Sequence, residues 1–168
     1  MIRKALPTDI EPIMKIVAQA QARLAAAGVD QWQDGYPTSE ILLHDIASGN
    51  CYIADKEGVV AGFMVIMFEI EPTYSYIEDG QWLTHGRDYC VIHRIAFDNN
   101  YLRQGLCTMA FNYAEQLCRE RGVGVVRIDT HRDNIPMNAS IKKHGFSYCG
   151  VIYLRSGAKR LAYEKVID

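Results

Sequence analysis

Residues 91–108, VIHRIAFDNNYLRQGLCT, combine features that are typical of an anion-binding site. A run of apolar residues leads through a turn at residues 98–100 to Arg103 and Gly105, where a strongly amphipathic helix begins. The first N–H groups of a helix have no partner within it and lie at the positive end of its dipole, so they can bind an anion. Gly105 lets a ligand approach the backbone closely, Arg103 adds a charge and Thr108 adds a hydroxyl group. The alternative is that Gly105 only fits a tight turn between a strand and a helix.

The glycine pattern excludes two kinds of nucleotide site. The chain has no G-x-x-x-x-G-K-[ST] loop, and Gly122 and Gly124 lack the third glycine of a dinucleotide-binding fingerprint. The pattern therefore indicates a phosphate site without the signature of nucleotide hydrolysis or of hydride transfer.

His93 is the side chain best suited to act as a general base, because histidine titrates near neutrality. It alternates along a predicted strand with Ile95 and Phe97, so its side chain should share their face. Glu69 and Glu71, near the end of the preceding strand, are alternative bases that would act through a water molecule. A packed histidine and a solvated acidic loop are the corresponding structural alternatives.

Hydrophobic periodicity and turn residues predict seven strands and four helices. The first helix is expected to start at Thr8 and Asp9, which offer caps, with a capping box formed by Thr8 and Glu11. The second is expected to start at Thr38 and Ser39. Residues 69–87 are polar and irregular, which indicates a long connection. The predicted strands are 2–6, 51–54, 59–68, 89–97, 123–130, 148–154 and 160–166, and the predicted helices are 8–28, 38–47, 105–121 and 134–144.

The order of these elements predicts the fold class. Strands that alternate with helices indicate parallel pairing, and hairpins at both ends indicate antiparallel pairs. We therefore expect an α/β fold of mixed α+β character, with a mostly antiparallel sheet and about four flanking helices. The chain has 168 residues, no internal repeat and no linker, so a single domain over residues 1–168 is expected.

Composition argues against several classes of protein. The formal net charge is −2 and no basic patch stands out, so a nucleic-acid partner is not expected. Histidine and cysteine do not occur at zinc-ligand spacing, so no metal is expected either. The longest apolar run, residues 59–68, is too short to span a bilayer, and no signal peptide precedes it. Five cysteines without a disulfide pattern favour a cytoplasmic protein that has no membrane partner.

Two stretches resemble the GNAT superfamily of acyl-CoA-dependent N-acetyltransferases. HRIAFDNNYLRQGLC has the layout of the family's R/Q-x-x-G-x-G/A signature, with Gly105 at its first glycine, but Leu102 and Cys107 depart from it. NIPMNASIKKHGF, which begins at Asn134, resembles the family's N-x(2)-A-x(2)-L-Y-x-K-x-G-F segment but has Ile141 where tyrosine is usual. The resemblance extends over essentially the whole chain, including the order of its elements.

The resemblance implies a GNAT-like domain with a splayed parallel pair of strands and with acetyl-CoA as co-substrate. The backbone of the fourth strand would hydrogen-bond the pantetheine arm, and the turn before the third helix would hold the pyrophosphate. Asn134 would lie near the pantetheine or acyl end. The implied cofactor-binding residues are Ile95, Ala96, Phe97, Arg103, Gln104, Gly105, Leu106, Cys107, Thr108 and Asn134.

The implied activity is transfer of an acetyl group from acetyl-CoA to a primary amine of a small molecule or a peptide. His93 and Glu69 are the candidate catalytic residues. Many family members use as the acid the tyrosine that Ile141 replaces, so another tyrosine or solvent would protonate the leaving thiolate. One alternative is a non-catalytic acyl-CoA-binding or sensing module of the same fold. Another gives Cys107, at a helix N terminus, the role of a redox-responsive thiol or an acyl-carrying nucleophile.

The connection at residues 69–87 offers the available information about the acceptor. Its acidic residues 69, 71, 78 and 79 have no basic residue between them, which favours attraction of a cationic amine as much as it favours an exposed polar loop. Five aromatic side chains in the loops could wall an acceptor pocket or form a homodimer contact. They are Trp32, Tyr36, Tyr74, Tyr76 and Trp82.

Overall fold

The computed structural model describes all residues 1–168 and contains seven β-strands and four α-helices. Every predicted strand and helix is present, in the predicted order. The strands are β1 (Ile2–Lys4), β2 (Cys51–Lys56), β3 (Val59–Met67), β4 (Cys90–Phe97), β5 (Val125–Thr130), β6 (Ser147–Tyr153) and β7 (Lys159–Val166). The helices are α1 (Ile10–Ala26), α2 (Ser39–Ala47), α3 (Leu106–Glu120) and α4 (Ile135–Lys143).

The seven strands form one mixed sheet in the order β1-β2-β3-β4-β5-β7-β6. Strands β4 and β5 pair in parallel, with a register that runs from Cys90 opposite Val126 to Ile92 opposite Ile128. The pairs β1–β2, β2–β3, β5–β7 and β6–β7 are antiparallel. The predicted α/β fold, with a mixed sheet, one parallel pair and four helices, is therefore confirmed. None of the helices combines the length and the apolar character that crossing a membrane requires.

The chain folds as two compact units. The first consists of residues 1–66 and 94–110, and the second of residues 67–93 and 111–168. That residues 1–168 form a single domain stays a prediction.

In the first unit, the predicted start of α2 is confirmed, and so is Asp9 as a cap of α1, whereas the capping box predicted there is wrong. Thr38 Oγ1 accepts a hydrogen bond from the Ile41 N–H at 3.3 Å, as an N-cap residue does. No capping box forms before α1, where Asp9 is the N-cap residue and makes no side-chain cap hydrogen bond. Its carboxylate instead accepts from the Leu6 N–H at 2.7 Å and from the Arg3 guanidinium at 2.8 and 2.9 Å. An ion pair with β1 thus decides how this helix starts.

In the second unit, the connection between β3 and β4 is irregular, as predicted, but aromatic residues anchor it. Tyr74 and Trp82 are 2% and 6% exposed, and Trp82 Nε1 donates a hydrogen bond to the Tyr74 carbonyl oxygen at 2.9 Å. The Arg127 guanidinium lies 4.1 Å from the ring centres of both Trp82 and Tyr89 and pairs with Glu164 at 2.6 Å. The buried residues that pack with Tyr74 and Trp82 are Val91, Cys149, Ile152 and Ala162.

Candidate functional site

The turn before α3 has a backbone shape suited to binding an anion. Arg103 and Gly105 have φ values of 61° and 77°, in the left-handed region, and the Met109 N–H makes a helical bond to the Gly105 carbonyl oxygen at 3.0 Å. Left-handed residues in a turn can direct successive N–H groups to one side, which forms a concave anion site. A Cβ atom added to Gly105 would meet no other atom within 4 Å, so this side of the turn is open. Leu106 is buried, whereas Gln104 and Thr108 are exposed.

Side chains of α1 hold the segment that enters this turn. Gln19 Nε2 donates to the Asp98 carboxylate at 2.9 Å, and Gln19 Oε1 accepts from the Asn99 N–H at 2.9 Å. The Arg23 guanidinium donates to the carbonyl oxygen of Phe97 at 3.3 Å and also to the Asn99 side chain. Helix α1 therefore fixes the path of the backbone between the end of β4 and the turn.

The end of β4 lies close against β3, which requires a glycine there. A Cβ atom on Gly62 would lie 2.3 Å from Cδ1 of Phe97 and 2.9 Å from the carbonyl oxygen of Ala96. Real Cβ atoms do not make such short contacts, so only glycine lets the Phe97 ring lie over this strand. Ile95 and Phe97 are half-buried and Ala96 is buried, which is the alternation expected of a strand.

Further back along β4, His93 forms a close pair with Glu71 from the connection. His93 Nε2 lies 3.2 Å from Glu71 Oε2, and both side chains are less than one-fifth exposed. The other carboxylate oxygen of Glu71 accepts from the N–H and hydroxyl groups of Thr73 at 3.1 and 2.9 Å. The hydrogen bond with His93, assisted by those from Thr73, lowers the pKa of Glu71 to about 2, so the carboxylate is ionised at neutral pH.

Tyr74 and Asp129 form a hydrogen-bonded pair in the second unit, which also contains His93 and Glu71. The Tyr74 hydroxyl donates to Asp129 Oδ2 at 2.7 Å. Burial raises the pKa of the Asp129 carboxyl group, and burial together with this carboxylate raises the pKa of Tyr74 well above its usual value. The charges of Asp129 and His93 are close enough to interact.

The other predicted site residues lie in different surroundings. Glu69 is exposed, makes no hydrogen bond or ion pair, and lines a cavity of about 310 Å³. Asn134 precedes α4, where its side chain accepts from the Met137 N–H at 3.4 Å. Cys107 is half-buried, and Ile141 is completely buried and carries no group that could donate a proton. The structure thus pairs His93 with Glu71, while the catalytic roles of His93 and Glu69 stay predictions.

Sequence reasoning gave no role to Asp129 and considered Tyr74 only as an aromatic wall. The Tyr74–Asp129 and His93–Glu71 contacts join residues of different elements, and a single sequence does not show which elements meet. The available signal was weak: Asp129 is the one acidic residue of β5, next to the end of that strand.

Comparison with known proteins identifies the family to which this chain belongs. The family model of the Acetyltransferase (GNAT) family matches residues 17–146, more than half of the chain. This chain belongs to the GNAT family. A GNAT acetyltransferase from Streptococcus agalactiae 2603 is 34% identical with a TM-score of 0.89, over 100% of this chain and 95% of that one. No curated protein matches the sequence.

More distant GNAT structures agree in fold alone. A GNAT acetyltransferase from Listeria monocytogenes 4b F2365 is 23% identical with a TM-score of 0.76, over 99% of this chain and 94% of that one. The PaiA N-acetyltransferase from Thermoplasma acidophilum, in complex with coenzyme A, is 17% identical with a TM-score of 0.73, over 99% and 98%. Membership of the GNAT family supports an acyltransferase activity in general and leaves the acceptor to be identified.

Proposed function

We propose that this GNAT protein transfers an acetyl group from acetyl-CoA to a primary amine of a small molecule or a peptide. The observation that carries the proposal is the open left-handed turn at Gly105, at the start of α3 in the first unit. In the second unit, a histidine held by an ionised glutamate supports it. The coenzyme A complex of the related PaiA fold supports the choice of acyl donor.

The turn at residues 103–108 fits the pyrophosphate of acetyl-CoA. Its backbone N–H groups, the start of α3 and the charge of Arg103 all favour a bound anion. The open side of Gly105 leaves room for such a ligand. Leu102 and Cys107 depart from the family signature, but the binding groups are mainly backbone atoms, which these side chains do not remove. Ile95, Ala96 and Phe97 would bind the pantetheine arm, and Asn134 would lie near its acyl end.

His93 serves as the general base in this proposal. Because the Glu71 carboxylate is ionised and can only accept, we assign the hydrogen of the pair to Nε2, and Nδ1 is then the nitrogen that takes a proton. Glu71 fixes the orientation of the ring and stabilises the imidazolium that forms. Thr73 in turn holds Glu71.

The proposed transfer accounts for every proton and electron pair. The ammonium group of the acceptor gives one proton to His93, and the freed lone pair forms a C–N bond with the thioester carbon. The C–S bond breaks and its electron pair stays on sulfur, while the nitrogen loses a second proton. One proton neutralises the thiolate, so the products are the N-acetyl amine, free coenzyme A and one proton. In the absence of a tyrosine at Ile141, solvent or another tyrosine delivers the proton to sulfur.

The buried Ile141 favours a second candidate function. Since this side chain replaces the acid that many family members use, a protein that binds acyl-CoA as a sensor without turning it over is the alternative. Glu69, which is exposed, remains a rival base that would act through a water molecule.

Two measurements test the proposal. Calorimetric titration with acetyl-CoA should show binding, and a panel of primary amines should give release of free coenzyme A thiol with at least one acceptor. Binding without release on any amine would support the sensor, and absence of binding would refute both functions.

The placement of the pyrophosphate is tested by Gly105→Arg, which should weaken acetyl-CoA binding by at least about tenfold because its side chain fills the open side of the turn. Gly157→Arg is the matched control, because Gly157 also has a left-handed φ, 85°, and open space around it. Equal affinities in the two variants would show that the pyrophosphate binds elsewhere.

A further inference from the structure

His93 and Asp129 occupy corresponding positions on two neighbouring strands. Ile92 of β4 is opposite Ile128 of β5, the last pair of their register, and His93 and Asp129 are the next residues on these two parallel strands. Because side chains alternate between the faces of a sheet, His93 and Asp129 leave it on the same side. Their charges are close enough to interact.

The hydrogen bonds of the two neighbouring carboxylates leave one oxygen available. Glu71 uses Oε2 for His93 and Oε1 for Thr73. Asp129 uses Oδ2 for the Tyr74 hydroxyl, whereas its Oδ1 has no hydrogen-bond partner. Asp129 as a residue is half-buried rather than fully enclosed.

Asp129 has a rigid support. The Tyr74 ring is buried and its carbonyl oxygen is held by Trp82, so its hydroxyl group has a fixed position. The charge of Arg160 also interacts with Asp129, and Arg160 Nη1 donates to the carbonyl oxygen of Lys159. An aspartate that is fixed, partly accessible and beside a base is suited to hold a cation.

We infer that Asp129 binds the ammonium group of the acceptor through Oδ1 and holds it beside His93, which makes a cationic alkylamine the substrate class. This inference rests on the proposed acetyl transfer. Tyr74 is a positioning residue, because it acts on the acceptor through Asp129. The bound ammonium group gives its proton to His93.

Asp129→Asn tests the inference in the full-length protein, with the best alkylamine substrate of the wild type as acceptor. Loss of a charge-assisted hydrogen bond should raise KM for the amine by about tenfold or more, while KM for acetyl-CoA changes less than about twofold. Asp129→Glu should restore part of the affinity for the amine. Asp88→Asn, which removes the same charge from an exposed residue of the same unit, should leave both KM values unchanged.

The outcomes separate this inference from the proposed function. If the wild type acetylates no amine, the proposed function fails. If the wild type is active and Asp129→Asn leaves KM for the amine unchanged, or raises both KM values equally, the inference is wrong. Should Asp129→Asn fail to fold, Tyr74→Phe decides the question by the same pair of KM values, because it removes only the hydroxyl group that positions Asp129.

Discussion

Replacing Glu71 by Gln tests whether this carboxylate holds His93, the proposed general base. The change keeps the size of the side chain and removes its charge, so His93 Nε2 loses an ionised partner at 3.2 Å. A hydrogen bond to a charged group contributes about 1.5–3 kcal/mol. If that energy orients His93 and stabilises its protonated form in the transition state, kcat/KM should fall by about 10- to 100-fold.

The same substitution has an effect on folding stability that depends on pH. The fall of the Glu71 pKa from 4.5 to about 2 corresponds to about 3 kcal/mol in favour of the folded protein. Because the pKa is lower in the folded state, this contribution is complete above the unfolded value of 4.5 and is lost as the pH falls toward 2. By pH 3 about 2 kcal/mol of it should be gone. Gln does not titrate, so the unfolding free energy of Glu71→Gln does not lose this contribution as the pH falls.

Urea unfolding at pH 7 and pH 3 measures the effect. The difference in unfolding free energy between the wild type and Glu71→Gln should shrink by about 2 kcal/mol from the higher to the lower pH. Glu57→Gln is the control, since Glu57 is exposed and makes no hydrogen bond. A difference that stays the same at both pH values, or an unchanged kcat/KM, would refute the reasoning.

Two further predictions concern the first unit. Gly62→Ala should lower the free energy of unfolding, measured with urea, by about 1–3 kcal/mol, because the added Cβ displaces Phe97 and Ala96. The same displacement should weaken acetyl-CoA binding in calorimetry. If neither the free energy of unfolding nor the affinity changes, β4 accommodates the Cβ by moving without cost. Asp45→Asn should lower the free energy of unfolding by about 3–5 kcal/mol, because it removes the negative charge and one of the two oxygens that accept from the buried Arg94 guanidinium at 2.9 and 2.8 Å. Urea unfolding beside the exposed Glu40→Gln control checks this, and a loss below about 1 kcal/mol would contradict it.

The fold could be predicted from the sequence because periodicity dominates in almost every element. Strand β4 and helix α3 show clear alternation and a clear apolar face, and their order implies the mixed sheet. The side-chain contacts at the start of α1 could not be predicted, because Asp9 is engaged by Arg3 of another element. A capping box is a pattern within one helix, and here a partly buried ion pair with β1 takes its place.

The two parts of the site differ in how far the sequence reveals them. The turn at Gly105 is local, since its glycine, its charge and the helix that follows are contiguous, and its positive φ agrees with that interpretation. The pairing of His93 with Glu71 joins residues on different elements and depends on how the connection between β3 and β4 folds. Glu69 and Glu71 are equivalent in the sequence, and only the 3-10 helix Pro72–Tyr74, which Glu71 caps, distinguishes them.

That connection determines the chemistry of the second unit more than any strand does. Tyr74 is both a buried anchor of the connection and the donor that fixes Asp129, while Glu71, three residues earlier, fixes His93. Glu71 caps the short 3-10 helix and Tyr74 is its last residue, so this helix sets the distance between the Glu71–His93 contact and the Tyr74–Asp129 contact. One turn of backbone therefore positions both the proposed base and the proposed ammonium-binding carboxylate. Since Trp82 holds the carbonyl oxygen of Tyr74, the packing of this aromatic pair supports both contacts. The irregular segment is therefore a structural part of the site, and the acidic residues within it have distinct roles rather than a shared one.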